Sequence, residues 1–317
     1  MKLTTFDAGR GPRVGLIASD GTLVPIHDVI ADAPLDMLGV IAGGDGLHAR
    51  LRDLATRAKD GAKLATVKLL APIPKPRRNV LCVGWNYSEH FAEGAAVRAQ
   101  AGAPAHARAP AQAGAPAQAG APAQKEIPEF PALFSKNPAT VTGPDSPIWF
   151  PAPHSEQLDW EVELAVVIGK GGRDIAESRA MEHIFGYTCA NDVSVRDVQR
   201  RHGGQWFKGK NFDSHLPMGP WIVSADELDP AALRLQTRVN GVTKQDSNTK
   251  FMVFKLPRLL REFSAGTELE PGDIIITGTP EGVGFARKPP EYMKIGDVVE
   301  VEIEGIGVLR NTVQGRS

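Results

Sequence analysis

An α+β, β-rich fold with a small N-terminal α/β unit is the class this 317-residue chain predicts, on three features. Short runs rich in Val, Ile, Trp and Thr, bounded by Gly, Pro and Asn-Gly signals, fill most of the chain beyond Pro147. Two of them, LDWEVELAVVIGK and VVEVEIEG, alternate with the period of two that strands impose. Helical spacing is confined to a few stretches that do not alternate regularly with strands, so a doubly wound parallel sheet is not indicated.

In chain order, RVGLIASDGTLVPI is two apolar runs around Asp20-Gly21 and predicts a hairpin. Residues 34–68 carry helical spacing broken at Gly43-Gly44, and this N-terminal unit is assigned to residues 1–75. The proline cluster APIPKPRR reads as an extended connector into a second domain, residues 78–317, which opens with the buried strand VLCVG. Residues 95–124 are almost wholly Ala, Gly, Pro and Gln, with AGAPAQ in tandem. Such a segment buries too little apolar surface to offset its ordering entropy and predicts a disordered insertion. Strands are then expected at 147–150, 160–169, 185–191, 221–223, 234–240, 274–277 and 298–303, with Asn240-Gly241, Pro271-Gly272-Asp273 and Gly296-Asp297 as turns.

Charge and composition narrow the function. Lys plus Arg number 36 against 37 Asp plus Glu, so no basic surface dominates and nucleic acid or an anionic membrane is a poor partner. The two cysteines, Cys82 and Cys189, are too few for a disulfide framework or a cysteine zinc site, and their apolar surroundings read as burial. No run approaches the ~18 apolar residues of a spanning helix. The N-terminal stretch also lacks the apolar core of a signal peptide, so a cytoplasmic protein is expected.

The chemistry concentrates in LDWEVELAVVIGK. On a strand, Asp159, Glu161 and Glu163 share one face while Trp160, Val162, Leu164, Val166 and Ile168 share the other. The acidic face continues into Ala165 and Val167, so it enters apolar interior, where clustered carboxylates must protonate or share a cation. No nearby cationic side chain is expected to substitute for such an ion. All-oxygen ligands on a rigid strand favour a hard divalent ion over zinc. Glu300, Glu302 and Glu304 alternate in the same way, but that face stays acidic up to Gly305 and reads as the solvated side of a hairpin.

Other segments supply further candidates. In GYTCANDVSVRDVQRR, Ser194 and Asp197 have capping-box spacing, which leaves Asp192 at a strand mouth as a further ligand or an ordinary turn residue. Arg196 and Gln199, three apart, point the same way and can meet a substrate carboxylate or oxo group. His90 and Glu93 have the spacing at which a glutamate can orient an imidazole, a spacing shared by ordinary solvated helix faces. Lys208 and Lys210 flank Gly209, and a lysine there can stabilise a metal-bound oxyanion or be a plain surface charge. TGTPEGVG lacks the Gly-Lys-Ser/Thr ending of a phosphate loop, so nucleotide binding is rejected; Thr279 in that turn can approach a ligand.

The order of VGWNYSEHFAE, FSKNPATVTGP, LDWEVELAVVIGK, GYTCANDVSVRDVQ, GKNFD, LEPGDIIITGTPEGVG and IGDVVEVEIEGIGVLRN resembles the fumarylacetoacetate hydrolase family over residues 78–317, in its acylpyruvase and 2-hydroxyhepta-2,4-diene-1,7-dioate isomerase-like subgroup. The resemblance implies a mixed β-sandwich roll, usually a homodimer, with Mg²⁺ or Mn²⁺ (Ca²⁺ as a third candidate) held by Glu161, Glu163 and Asp192. It implies a catalytic dyad at His90 and Glu93, Lys210 beside the substrate, and Arg196, Gln199 and Thr279 lining the site, with Asp159 behind the ligands. The family's short lid after the dyad is interrupted here by the AGAPAQ repeat. The expected reaction is metal-dependent cleavage of a C–C bond in an acylpyruvate, a 2,4-dioxo acid, with His90 activating water and pyruvate leaving as its enolate. The alternative is a decarboxylase or tautomerase of a 2-oxo or hydroxymuconate-type diacid in aromatic catabolism, since both pass through the same enolate. A non-catalytic metal-stabilised binding domain is the remote alternative.

Overall fold

The computed structural model describes residues 1–90 and 128–316. The Ala/Pro/Gly/Gln insertion and Glu93 lie outside the described residues.

The alternating apolar runs assemble into one large mixed sheet, eleven-stranded among the described residues. Edge to edge its main path runs Leu23–Pro25, Pro12–Ile17, Lys2–Asp7, Leu216–Ser224, Ile184–Asn191, Val162–Ile168, Ile274–Ile276, Val80–Gly84 and Ala132–Lys136. Most neighbours are antiparallel; Ile274–Ile276 and Val80–Gly84 run parallel. The hairpin at Asp20-Gly21 forms, with Gly21 at φ 79°, and its strands continue the large sheet because Lys2 and Leu3 pair with Val223 and Ile222. Helices Met37–Ala42 and Gly44–Arg57 meet at the Gly43-Gly44 break, where Gly44 takes φ 72°.

A second sheet of five strands runs Val242–Asn248, Arg234–Val239, Val298–Ile303, Gly307–Gln314 and Pro147–Trp149. Its Val299, Val301 and Ile303 are buried while Glu300 and Glu302 face Arg238 at the surface, as the all-acidic alternation predicts. Several strands exceed expectation: 221–223 is the end of Leu216–Ser224, and Ala132–Lys136, Val242–Asn248 and Gly307–Gln314 were not anticipated. Val242–Asn248 reads VTKQDSN, a polar edge strand with no apolar alternation to betray it.

The central strand Val162–Ile168 is buried on both faces. Ala165 and Val167 pack with Val80, Cys82, Ile276 and the N-terminal helices through Val40 and Ile41. Val162, Leu164, Val166 and Ile168 pack with Leu235, Val301 and Ile303 of the five-stranded sheet and with Leu259, Leu260 and Phe263 of helix Leu256–Ser264. Each side of this strand thus has its own core, and its residues cannot change face without destroying both. That rigidity carries over to the acids at its start.

Candidate active site

Glu161 just precedes strand Val162–Ile168 and Glu163 lies within it, and the strand start is pinned by backbone and side-chain bonds. The side-chain oxygen of Asn191 accepts from the Glu161 N–H (3.0 Å), Glu161 O accepts from the Asp192 N–H (2.9 Å), and Gln245 Oε1 accepts from the Val162 N–H (3.0 Å). Asp192 follows immediately after strand Ile184–Asn191, whose Asn191 pairs with Val162 and Ala190 with Glu163. Antiparallel register thereby brings Asp192 to Glu161 and Glu163, and ligand oxygens of the three lie within 4.8 Å of one another, all buried. Glu163 also accepts the Gly278 N–H at 2.6 Å. That approach needs glycine: φ is +93°, and a Cβ would stand 2.7 Å from the Asn86 Cβ.

The expectation that no cation stands near these acids is overturned. Lys210 Nζ bridges Glu161 Oε2 (2.8 Å) and Asp192 Oδ2 (2.7 Å). Lys136 Nζ donates to Asp192 Oδ1 (2.7 Å), to the Val193 carbonyl (3.3 Å) and to the Lys210 carbonyl. Arg196 Nη2 lies 2.7 Å from Glu161 Oε1, while its Nε donates to Asp159 Oδ2 (2.7 Å) and its Nη1 to Gln199 Oε1 (3.2 Å). The cations come from separate segments, Lys136 ending an edge strand and Arg196 and Lys210 on two short helices, so no local spacing announces them.

Asp159 is not part of the convergent trio. Its carboxylate accepts the N–H groups of Trp160 (2.8 Å), Gly284 (2.7 Å) and Phe285 (3.0 Å) as well as Arg196. Those bonds tie the 284–285 turn to the guanidinium, which lies 4.4 Å from the Phe285 ring centroid. Gly209 sets the spacing of the two helices, since a Cβ there would meet the Gln199 N and Cα at 2.4 Å.

Electrostatics divide the acids. Burial alone would raise Glu161, but Lys210 and Arg196 outweigh it and hold the carboxyl down to about 2. Burial pushes Glu163 well above the usual carboxylate range, and Asp192 and Glu161 push it further; Lys210 and the Gly278 N–H only partly offset this. Burial works against the charge of both lysines, yet Asp192 and Glu161 lift Lys210 above its ordinary value, whereas Lys136, with Asp192 and the neighbouring Lys210, ends below.

Of the remaining sequence candidates, Thr279 is buried, donating to the Val162 carbonyl (2.9 Å) and accepting from Gln245 (2.9 Å). His90 is buried, and residues 88–90 are helical. The capping reading of Ser194 fails: its hydroxyl turns back to the Asp192 carbonyl (2.9 Å), Val195 is the helix N-cap without a side-chain bond, and Asp197 instead meets Ser155 and Arg201. The two-residue pairing of Ser194 and Val195 with Asp159 and Leu158 holds the segment extended, which rules out a cap at Ser194. Lys136, Asn191 and Gln245 are the supporting residues to which the sequence assigns no role.

The donor set suits a hard divalent cation. Asp159, Glu161, Glu163 and Asp192 face three cations, and among the described residues Glu163 meets none of them. One buried carboxyl is thus left protonated or waiting for positive charge, and three converging oxygens are the means to supply it.

Comparison with known proteins agrees with this architecture. Oxaloacetate tautomerase YisK of Bacillus subtilis is 38% identical over 99% of this chain and 100% of its own length. Human oxaloacetate tautomerase FAHD2A, mitochondrial, is 38% identical over 99% of this chain and 91% of its own. Fumarylacetoacetate hydrolase from Exiguobacterium antarcticum superposes with a TM-score of 0.78 at 38% identity, and the maleylpyruvate hydrolase of Sphingobium sp. SYK-6, solved with manganese(II) and pyruvate, with 0.76 at 28%, each covering 100% of both chains. Residues 79–314 match the fumarylacetoacetate (FAA) hydrolase C-terminal family, and the chain belongs to that family.

Proposed function

We propose that this chain is a divalent-metal-dependent tautomerase that interconverts the keto and enol forms of a short 2-oxo diacid of the oxaloacetate type. The observation that carries the reading is Lys210, an ammonium fixed at 2.8 and 2.7 Å from two of the three convergent carboxylates. Full-length similarity to proteins named oxaloacetate tautomerase supports it.

Glu161, Glu163 and Asp192 would hold Mg²⁺ or Mn²⁺, which when bound supplies a Lewis acid and a template for a 2-oxo carboxylate. The residues of the chain do the rest. Lys210 remains an ammonium and donates a hydrogen bond to the 2-oxo oxygen as negative charge grows there. Lys136, holding the Lys210 carbonyl and Asp192 together, keeps that donor in place. The His90 imidazole takes the proton from C3, the imidazolium gives it up through solvent to the 2-oxo oxygen to complete the enol, and the reverse sequence restores the ketone. Arg196, spread over Asp159, Glu161 and Gln199, orients Glu161 and steers Gln199 toward the substrate. Glu93 as the partner of His90, Thr279 as a wall of the site, and a homodimeric assembly complete the proposal.

Hydrolysis of an acylpyruvate is the second reading, favoured by the likeness to a maleylpyruvate hydrolase solved with manganese(II) and pyruvate. It uses the same residues, with His90 activating water instead of taking a carbon-bound proton. Direct comparison of kcat/KM for oxaloacetate tautomerisation and for acetylpyruvate and maleylpyruvate hydrolysis separates them. The first reading expects tautomerisation to lead by about tenfold or more. Hydrolysis leading by that margin overturns it.

A further inference from the structure

The two helices that carry Arg196 and Lys210 have opposite faces. On Arg196–Arg201, Arg196 and Gln199 point to the carboxylates, while Val198, Arg201 and His202 line a separate cavity of about 340 Å³. On Phe207–Lys210, Lys210 points inward and Lys208, two positions earlier, lines the same cavity. Residues two apart on a helix lie ~200° around the axis, so the cavity backs onto the metal-ligand cluster and does not open from it.

Its chemistry is specific. Arg201, Lys208 and Arg316 line it against the one carboxylate of Asp213, which pairs with Arg316 at 2.6 Å. Arg201 is paired with Asp197, whereas no salt bridge is recorded for Lys208 among the described residues. Two of these cations lie on aromatic rings: Lys208 Nζ is 5.1 Å from the Phe212 centroid and the Arg316 guanidinium 5.7 Å from that of Trp149. With the faces of Trp149 and Phe212 taken by those cations, the remaining apolar wall is Phe150, Pro151 and Val198, which suits an anion with a flat apolar body whose carboxylate meets the cations while its ring packs on that wall.

We propose that this cavity is a second small-molecule site, distinct from the carboxylate cluster, for a flat, ring-bearing monocarboxylate. The probe is benzoate, titrated by calorimetry into Mn²⁺-loaded protein with saturating oxalate present to fill the metal cluster. The expected result is saturable binding of benzoate alongside oxalate, with acetate weaker by about tenfold or more because it lacks the ring. Lys208→Glu and, separately, Arg316→Glu should each weaken benzoate about tenfold or more while leaving oxaloacetate tautomerisation within about twofold. Displacement of benzoate by oxalate, equal binding of acetate, or unchanged affinity in both variants overturns the proposal. So does failure of benzoate to bind; a change in sedimentation coefficient in Lys208→Glu would then make the cavity an interface between copies of the chain. The binding outcomes do not depend on which keto acid the enzyme turns over; only the tautomerisation control rests on the proposed function.

Discussion

Lys136→Met tests whether the cation network is an electrostatic strut. Lys136 is wholly buried and its three ammonium hydrogens meet three acceptors, Asp192 Oδ1, the Val193 carbonyl and the Lys210 carbonyl. Methionine fills similar volume but donates nothing, so it leaves those acceptors unsatisfied and takes one of two ammonium groups from Asp192. Breaking a buried pair costs roughly 3–5 kcal/mol; because Lys210 still holds Asp192 at 2.7 Å, the low end applies, about 3 kcal/mol. For a chain of this size that is a melting temperature lower by roughly 4–5 °C. Removing a positive charge from the ligand cluster should nevertheless strengthen its attraction for a dication, by about tenfold in Kd. The assay is guanidinium unfolding of chelated and Mn²⁺-saturated protein beside a calorimetric Mn²⁺ titration. Metal-free stability should fall, much of the loss should be recovered with Mn²⁺, and turnover should drop because Lys210 loses its support. Unchanged metal-free stability together with weaker Mn²⁺ binding would mean that Lys136 is not an electrostatic strut.

Further outcomes follow from the same geometry. Asp159→Ala orphans three backbone N–H groups and the Arg196 Nε, so thermal unfolding should register a loss of about 3–5 kcal/mol, with Mn²⁺ affinity reduced through misplacement of Glu161. Glu163 has a folded pKa raised above its unfolded value, so its contribution to metal-free stability is complete below the ordinary carboxylate range and is lost as pH rises through the folded value. Metal entry must displace that proton, so Mn²⁺ affinity should rise with pH, and calorimetry in buffers of different ionisation heat should detect a proton release that Glu163→Gln abolishes. Gly209→Ala forces the two helices apart and should lower kcat well beyond the ~1–3 kcal/mol of its stability cost, as paired unfolding and rate measurements would reveal. His90→Ala should reduce tautomerisation by about a hundredfold or more while Mn²⁺ binding survives; an unchanged rate removes His90 from the proton transfer.

What the sequence revealed and what it concealed have different physical origins. Asp159, Glu161 and Glu163 were legible because strand alternation is local, and the apolar continuation through Ala165 and Val167 correctly implied burial. The contrast with Glu300 and Glu302 held for the same reason, as their strand keeps one face in water. Lys136 was opaque because its partner Asp192 is 56 residues away and is reached only through sheet order. Gln245 lies on a strand whose polar sequence gives no periodic signal, although it fixes both Val162 and Thr279. Ser194 misled because capping-box spacing assumes the helix starts there, whereas pairing with Asp159 keeps that residue extended. Local pattern therefore identified the acids, while the cations that balance them depend on tertiary topology.

The most direct test of the central claim is the rate of oxaloacetate enol-to-keto conversion, followed by ultraviolet absorbance, before chelation, after exhaustive chelation and dialysis, and after Mn²⁺ or Mg²⁺ is restored. Chelation should remove catalysis by about a hundredfold or more, and added metal should restore it. Glu161→Gln should respond poorly to added metal, while Glu302→Gln should behave as wild type within about twofold. Full tautomerisation by the chelated wild-type protein, or no acceleration over the uncatalysed reaction with metal present, would contradict it.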